Sequence, residues 1–252
     1  MQYTNILKTS SELTDLDINQ ITNLFHVSFG TKPKHTSLDH FKWKYLDNPF
    51  GDSFHLLTKD KGQLIASRAF WNVPVKTGYL QCVDTCVAPN YRGKGIFKET
   101  TLFALDSLKS ILYNAPNSSS LPQYIKYGWK INNIYKPKIS FYRYIKPCVP
   151  ELDLSDENEK LINWKFLSHP SFIYKHFIDN EFFYLCRMKK SIPIILFKTK
   201  IDISKFTKIG NPLICATYSN FNGIGLEFSV LSHSVDNSGV ALRVEPYFFD
   251  MF

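Results

Sequence analysis

Long apolar runs are missing from this sequence of 252 residues. No uninterrupted apolar stretch approaches the roughly 20 residues that a helix needs to cross a bilayer. The first ten residues, MQYTNILKTS, also lack the charged start and apolar centre of a secretory signal. We therefore expect a cytoplasmic protein that does not insert into a membrane.

Cysteine is scarce, and the five that occur, Cys82, Cys86, Cys148, Cys186 and Cys215, are scattered along the chain. They form no Cys-x-x-Cys pair, and no histidines lie near them at metal-ligand spacing. Neither a disulfide framework nor a metal site is expected.

Clusters of positive charge are also absent, although the net charge is +8. Such a charge attracts polyanions of any kind, including nucleic acid, membrane surfaces and phosphorylated small molecules. Because the lysines are spread along the chain, a dedicated nucleic-acid-binding arm is disfavoured. Hydrophobic residues make up 44% and aromatic residues 15% of the sequence, which is typical of a globular protein. Binding of a small ligand that carries phosphate groups stays compatible with this charge.

The hydrophobic pattern predicts alternating helices and strands in the first part of the chain. Apolar residues at helical spacing, with Ser37 as an N-cap of the second helix, predict helices, and extended runs around turn residues predict strands. The predicted elements are helix 13–29, a helix from Ser37 that ends before 48–51, a hairpin over 54–75, strand 78–87, helix 96–108, strand 110–113, a short helix over 118–126 and strands over 129–144. This order predicts a mixed α/β layered fold.

A Pro-flanked segment, Pro147-Cys-Val-Pro150, precedes the acidic stretch ELDLSDENEK. Such a stretch contributes little to a core and is typical of a linker. We therefore predict two domains, 1–148 and 149–252.

The predicted second domain contains an echo of the first. Trp164-Lys-Phe-Leu-Ser-His-Pro170 matches Trp43-Lys-Tyr-Leu-Asp-Asn-Pro49 in its aromatic, basic and proline positions. Two readings stay open: a degenerate copy of the first half, or a coincidence of two helix ends followed by proline. Because the echo has no counterpart of Arg92-Gly-Lys-Gly95, a second cofactor site is not expected.

The segment Val87-Ala-Pro-Asn-Tyr-Arg-Gly-Lys-Gly-Ile-Phe97 reads as a strand end, a glycine turn and a helix start. The first turn of a helix leaves amide N–H groups without partners and carries partial positive charge, so it stabilises an anion. Gly93 and Gly95 allow close approach of a diphosphate, and Arg92 and Lys94 add mobile positive charge. The spacing fits neither a P-loop nor a dinucleotide-binding fingerprint.

The same segment resembles the acyl-coenzyme A binding turn Gln/Arg-x-x-Gly-x-Gly/Ala of the GNAT family of N-acyltransferases. Arg92 and Gly95 match, whereas Phe97 stands in place of a small residue and would crowd one side of the turn. A second match lies at Asn117-x-x-Ser120-x-x-x-Tyr124-x-Lys126-x-Gly128-Trp129. The resemblance covers roughly residues 1 to 145.

The resemblance implies a GNAT-like α/β (α+β) fold, with a mixed, mostly antiparallel sheet flanked by helices. The smaller C-terminal domain is then β-rich or a degenerate GNAT-like half. The resemblance also implies acyl-CoA as donor, held by the residues Thr85, Val87, Arg92, Gly93, Lys94, Gly95, Ile96, Phe97 and Asn117. The strand that ends at Val87 would splay from the next strand and admit the pantetheine arm.

Acyl transfer to an amine needs a neutral amine, support for an oxyanion and a proton for the departing thiolate. Tyr124 aligns with the family tyrosine that faces the sulfur, so we predict that it is the general acid, with aromatic packing as the alternative. Asp84 is the candidate base, with a structural carboxylate paired to a lysine as its alternative. Asn117 either contacts the pantetheine arm or caps the next helix.

Aromatic and amide side chains in the first domain are candidates for an acceptor pocket, by stacking on a flat base or a sugar. They are Phe29, Trp43, Tyr45, Asn48, Trp71 and Asn72. A buried core would use the aromatic residues equally well.

Three features carry a narrower resemblance: the element Trp43-Lys-Tyr-x-x-Asn-Pro49, the long second half, and the variant Arg92-Gly-Lys-Gly-Ile-Phe97. Together they resemble GNAT proteins that acylate nucleotide-linked amino sugars (dTDP- or UDP-amino-deoxysugars) for bacterial surface polysaccharides such as lipopolysaccharide O-antigen or capsule. Two alternatives stay open. One is acylation of a protein, peptide or antibiotic amine, and the other is a non-catalytic acyl-CoA-binding module.

Overall fold

The computed structural model describes residues 3–30, 37–74, 78–145, 160–179, 182–189, 192–200, 210–219 and 228–233. The chain divides into two compact units, Met1–Asn132 with Leu231–Leu242, and Asn133–Val230 with Arg243–Phe252. This division differs from the boundary predicted near residue 150. The predicted linker, 146–159, lies outside the described residues.

The first unit contains a mixed, mostly antiparallel sheet with helices, as predicted. Its strands are β1 (Thr4–Thr9), β2 (Phe54–Asp60), β3 (Gln63–Trp71), β4 (Tyr79–Val87) and β5 (Ile111–Asn114), and its helices are α1 (Asp15–Phe29), α2 (Leu38–Phe41), α3 (Ile96–Ser107) and α4 (Leu121–Lys126). Neighbouring strands pair antiparallel from β1 to β4, and β5 pairs parallel to β4. Leu231–His233, from a later strand, pairs antiparallel with the far edge of β5.

Helix α1 buries one apolar stripe against the sheet. Thr14 caps its start, since the side chain accepts from the amide of Asp17. The buried residues are Ile18, Ile21, Leu24 and Phe25, as the helical spacing predicts. The sequence also predicts Leu16 on this stripe, but Leu16 is 64% exposed. It lies two residues before Ile18 and therefore on the opposite side of a helix with 3.6 residues per turn.

The two faces of the sheet carry different layers. Phe70 of β3 lies in the main core cluster with Ala104 of α3 and Tyr124 of α4. The next residue, Trp71, points to the opposite face, where its Nε1 donates to the main-chain oxygen of Lys44 at 3.0 Å. The sheet is therefore covered on one side by α3 and α4 and on the other by α1 and the segment that follows α2.

That segment is a π-helical turn, Lys42–Leu46, in which Trp43, Lys44 and Tyr45 are buried. Its counterpart in the echo, Asn163–Leu167, is also a π-helical turn with a buried Trp, Lys and aromatic residue. Such turns are rare, so their recurrence at matched positions favours the degenerate copy over coincidence.

The residues after each π-helical turn repeat the same hydrogen bond. The Asn48 Oδ1 accepts from the amide of Phe50 at 3.0 Å, and the Nδ1 of His169 accepts from the amide of Ser171 at 3.1 Å. The echo is therefore a repeat of local structure as well as of sequence.

The second unit contains a β sheet, which confirms the predicted β-rich C-terminal part. Its strands are β6 (Lys130–Ile145, which begins in the first unit), β7 (Tyr174–Asp179), β8 (Phe182–Lys189), β9 (Ile192–Lys200) and β10 (Gly210–Ser219), and Phe228–His233 forms β11. The strand order is β6-β10-β9-β8-β7, with one further pairing between β6 and β7.

Candidate active site

The loop between β4 and α3 presents a run of unbonded amides. Gly93 and Gly95 have φ angles of 76° and 81°, in the left-handed region that glycine adopts without strain. Within the described part of the chain, the amide N–H groups of residues 93 to 98 donate to no acceptor. An ideal Cβ placed on either glycine would meet nothing within 4 Å, so no neighbouring atom fills the space beside these two residues. This positively polarised turn at the start of a 12-residue helix fits a diphosphate.

The side chain of Ile96 holds the start of α3 in place. Its side chain is buried with Ile65 and Ala66 of β3. The first turn of α3 is thereby fixed to the sheet while its amides point outward.

Two cations flank the loop, but one of them is held in place. The guanidinium of Arg92 donates to the main-chain oxygen of Val87 at 3.1 Å and to that of Ser28 at 3.4 Å. Arg92 therefore ties the loop to β4 and to the end of α1, which corrects the prediction of mobile charge at this position. Lys94 is exposed, with its Nζ 4.8 Å from the ring centre of Tyr91.

Strand β4 pairs with β5 over the first third of its length and then leaves it. Its pairing with β5 ends at Gln81 opposite Tyr113, while β4 continues to Val87 alongside β3. The amide of Ala88 donates to Ile65 of β3, so strand alternation turns the amide of Val87 toward the side that β5 has vacated. An extended ligand could hydrogen-bond to this open edge.

A β-bulge lies at the opening. Ser67 pairs with Cys86 and Ala69 with Val83, so Asp84 and Thr85 together oppose one residue of β3. Asp84 has a φ of 46°, which is uncommon for a residue other than glycine. The bulge thus re-aims the side chains of β4 next to the site.

Asp84 is bonded inside the protein. Its Oδ2 accepts from the Nζ of Lys44 at 3.0 Å and from the hydroxyl of Tyr45 at 2.6 Å. Burial raises the pKa of Asp84, but the charge of Lys44 and these hydrogen bonds outweigh it and hold the pKa below its ordinary value. A carboxylate in this state is a weak base, which corrects its assignment as general base and matches the lysine-paired alternative.

Tyr124 of α4 places its hydroxyl where β4 and β5 diverge. The hydroxyl accepts from the guanidinium of Arg68 at 2.8 Å. Burial raises the pKa of Tyr124 to about 12, against lowering effects of the Arg68 charge and of hydrogen bonding with Asn114 and Thr85. The phenol is therefore neutral at physiological pH and holds a proton that it can donate.

Phe97 and Asn117 both make contacts away from the glycine turn. The ring of Phe97 packs edge-on against Tyr124, with ring centres 5.5 Å apart, and so points into the core instead of crowding the glycine turn. The Oδ1 of Asn117 accepts from the amides of Ser119 and Ser120 at 3.1 and 2.9 Å. It organises the turn before α4, in line with the capping alternative.

Most of the predicted acceptor-pocket residues belong to the core. Trp43 is 6%, Tyr45 2% and Trp71 0% exposed, so none offers a free face for stacking, and the core alternative is the correct one for them. Asn48 and Asn72 bond to main-chain oxygens at 2.7 and 2.8 Å and hold the segment before β2.

Phe29 is the exception among them, since it is 50% exposed. Its ring centre lies 5.7 Å from that of Phe25, at the end of α1. It remains a candidate contact for an acceptor.

Three residues around the site were not predicted from the sequence: Lys44, Arg68 and Thr101. Arg68 is buried and donates to the hydroxyl of Thr101 at 2.7 Å as well as to Tyr124. The available signal was a charged residue within the apolar run of β3, Leu64–Trp71, because arginine is rarely buried without a partner.

The described residues contain neither a membrane-spanning helix nor a metal-binding group. No helix among them is both long and apolar enough to cross a membrane. Within the same ranges, no group of three or more His, Cys, Asp or Glu side chains could hold a metal ion.

The comparisons with known proteins agree with this geometry. Residues 18–120 match the model of the acetyltransferase (GNAT) family. A conserved protein from Enterococcus faecalis V583, described as a probable N-acyltransferase, shares 12% identity at a TM-score of 0.57, over 92% of this chain and 73% of that one. A GCN5-related N-acetyltransferase from Kribbella flavida shares 8% identity at a TM-score of 0.57, over 91% and 71% of the two chains. These likenesses confirm the fold, and a search of curated proteins gives no significant match.

Proposed function

We propose that this chain, which carries a GNAT-family acetyltransferase domain, is an N-acyltransferase that moves an acyl group from acyl-CoA to an amine by direct attack. The observation that carries the proposal is the run of six amides over residues 93–98 that have no acceptor among the described residues, beside the open edge of β4. The diphosphate of the donor would sit on these amides, and its pantetheine arm would extend along β4.

The main chain near the bulge has the right position to support the oxyanion of the tetrahedral intermediate. The amide of Val87 faces the opening, and Thr85 lies on the bulge beside Tyr124. A preorganised amide in a site that excludes water stabilises developing charge more than water does.

Tyr124 is the proposed general acid, since its protonated hydroxyl lies beside Thr85 and Asn114, where β4 and β5 part. Asp84 is not assigned as base, because Lys44 and Tyr45 occupy its carboxylate. The amine would lose its proton to water.

The proposed acceptor is a nucleotide-linked amino sugar used for surface polysaccharides. Support comes from the net charge of +8, which suits an acceptor with its own diphosphate, and from the sequence resemblance described above. Phe29 is exposed and available for stacking. An amine on a protein, peptide or antibiotic is the second candidate acceptor.

Donor binding is tested by calorimetry with coenzyme A. We expect Gly95→Ala to weaken the affinity by about tenfold, because an alanine Cβ in the left-handed region costs about 1–2 kcal/mol and turns the amides away. Gly62→Ala is the matched control: its φ of 84° is close to the 81° of Gly95 and its surroundings are equally open, but it lies in the β2–β3 turn. Equal affinities for both variants, or no heat with the original chain, would contradict the site.

Acceptor class is tested by thiol release. Several acyl-CoA donors are combined with a panel of amino-sugar nucleotides, and separately with peptide and antibiotic amines. We expect turnover with at least one amino-sugar nucleotide. Turnover confined to the other amines would support the second candidate, and coenzyme A binding without any turnover would support a non-catalytic binding module.

A further inference from the structure

Arg68 lies in a closed aromatic environment in the core of the first unit. The side chain is on β3, directly opposite the bulge of β4, and the residue is 1% exposed. Its Cζ lies 5.4 Å from the ring centre of Phe70, 5.6 Å from that of Phe97 and 5.4 Å from that of Tyr124. These distances are within the range of cation–π attraction, which replaces part of the lost hydration.

The charge of Arg68 has no anionic partner among the residues that the structure describes. The ion pairs found there join Asp17 to Lys8 and Lys59, and Asp84 to Lys44. The guanidinium donates to neutral groups: the hydroxyls of Thr101 and Tyr124, at 2.7 and 2.8 Å, and the thiol of Cys82. A buried charge without a counterion is costly, so a structural role alone would be served better by an apolar residue.

The acyl-transfer reaction supplies a transient anion at this place. The amine nitrogen attacks the thioester carbonyl and the carbon–sulfur bond breaks, which leaves a thiolate. The thiolate takes the phenol proton and becomes a thiol, while the oxygen of Tyr124 becomes negative. The proton lost by the amine returns to that oxygen through water, so the reaction is balanced without a further reactant.

This proposal rests on the function proposed above. We propose that Arg68 is a positioning residue whose guanidinium fixes the oxygen of Tyr124 and stabilises the phenolate formed when Tyr124 protonates the departing thiolate. Arg68 touches neither donor nor acceptor in this arrangement. It acts through Tyr124, and its charge is balanced only during the reaction.

The other groups around the Tyr124 hydroxyl do not take this role. Thr85 and Asn114 are neutral hydrogen-bonding side chains. Cys82 is the other titratable group near it, and burial raises the pKa of Cys82 against the lowering charge of Arg68, so the thiol stays protonated. The positive charge at the hydroxyl therefore comes from Arg68.

The proposal is tested by the ionisation of Tyr124 itself, which needs no turnover. The full chain is prepared with difluorotyrosine in place of tyrosine, because its phenol ionises in a pH range where proteins stay folded. The fluorine NMR signal of position 124 is identified as the one that is missing in Tyr124→Phe. We expect Arg68→Met to raise the pKa of this phenol by about 1 to 3, because an opposite charge at hydrogen-bond distance is removed. Arg68→Lys keeps a charge and should restore most of the difference.

A second neutral variant keeps the test valid if Arg68→Met does not fold. Arg68→Gln retains hydrogen-bonding atoms without the charge and should raise the pKa in the same direction. The proposal is overturned if the phenol has the same pKa in the original chain and in a folded neutral variant. It is also overturned if Arg68→Lys shifts this pKa as much as a neutral variant does.

A double-mutant cycle connects this effect to catalysis. If Arg68 acts through Tyr124, Arg68→Met lowers kcat about tenfold or more when Tyr124 is present and has little further effect in Tyr124→Phe. Equal losses in both backgrounds would assign Arg68 a structural role. If the charge controls the ionisation but no donor supports thiol release, the pairing stands and the proposed acyl transfer fails, so the two failures are distinguishable.

Discussion

Tyr124→Phe is expected to lower kcat by about 100-fold or more while the affinity for coenzyme A stays nearly unchanged. Protonation by a positioned side chain contributes about 10²- to 10⁴-fold to a rate, and phenylalanine keeps the ring but has no proton to give. The ring packs against Trp129, with ring centres 4.8 Å apart, so the change preserves most of the packing. Steady-state kinetics of thiol release, with calorimetry of coenzyme A binding, measure the two quantities.

Tyr127→Phe is the matched control for this change. Tyr127 follows directly after α4, and its hydroxyl donates to Gln123 at 3.2 Å near the surface, away from Arg68. Its removal should leave kcat within about twofold. Because Tyr124→Phe deprives the guanidinium of one acceptor, a loss of about 1–3 kcal/mol in stability is expected, and thermal unfolding must show that the variant is folded at the assay temperature. An undiminished kcat would remove Tyr124 from the mechanism.

The parts of the site that depend on neighbours in sequence were predictable. Helix α1 was predicted by the spacing of its apolar residues, and Ser37 was predicted as an N-cap, which the structure shows accepting from the amide of His40 at 3.1 Å. The glycine turn was predicted because a strand end, two glycines and a helix start follow one another without interruption. In each case the physical cause lies within a few residues.

The parts that depend on distant neighbours were not predictable. Lys44 and Asp84 are 40 positions apart, and Arg68 and Tyr124 are 56 apart. The pairing register between β3 and β4 decides which side chains change direction at the bulge. This register depends on both strands together and cannot be read from the local sequence of either one. Strand β1 also escaped prediction, because its half-buried residues do not alternate between apolar and polar.

Burial of the aromatic residues was the other uncertain point in the sequence. Trp43 and Trp71 suit a ligand pocket and a core equally well by composition. The structure resolves the choice through the polar edge of one indole: the Nε1 of Trp71 donates to the main chain of the π-helical turn. An indole used in this way stabilises the fold and has no donor left for an acceptor.

Asp84→Asn is expected to destabilise the protein by about 3–5 kcal/mol, because it removes the carboxylate from the ion pair with the buried ammonium group of Lys44 and leaves that charge in place. The Lys44 side chain is 1% exposed, whereas that of Asp84 is 23% exposed, so water can reach the carboxylate but not the ammonium group. Denaturant unfolding at neutral pH measures the difference. Asp52→Asn, at an exposed carboxylate that bonds to Ser11, is the control and should cost no more than about 1 kcal/mol.

The pH dependence has a defined sign. Since the pKa of Asp84 is lowered in the folded chain, the pair stabilises fully above the pKa of an unfolded aspartate, about 4. This stability is lost as the pH falls through the lower pKa that Asp84 has in the folded chain. The difference in free energy of unfolding between the original chain and Asp84→Asn should therefore become smaller in acid. Adding Lys44→Met to Asp84→Asn should recover part of the loss in stability, because the buried charge of Lys44 is then removed as well. Two results would contradict the role of the Lys44–Asp84 pair in stability. One is a difference in free energy of unfolding that does not change with pH, and the other is a double variant that is no more stable than Asp84→Asn.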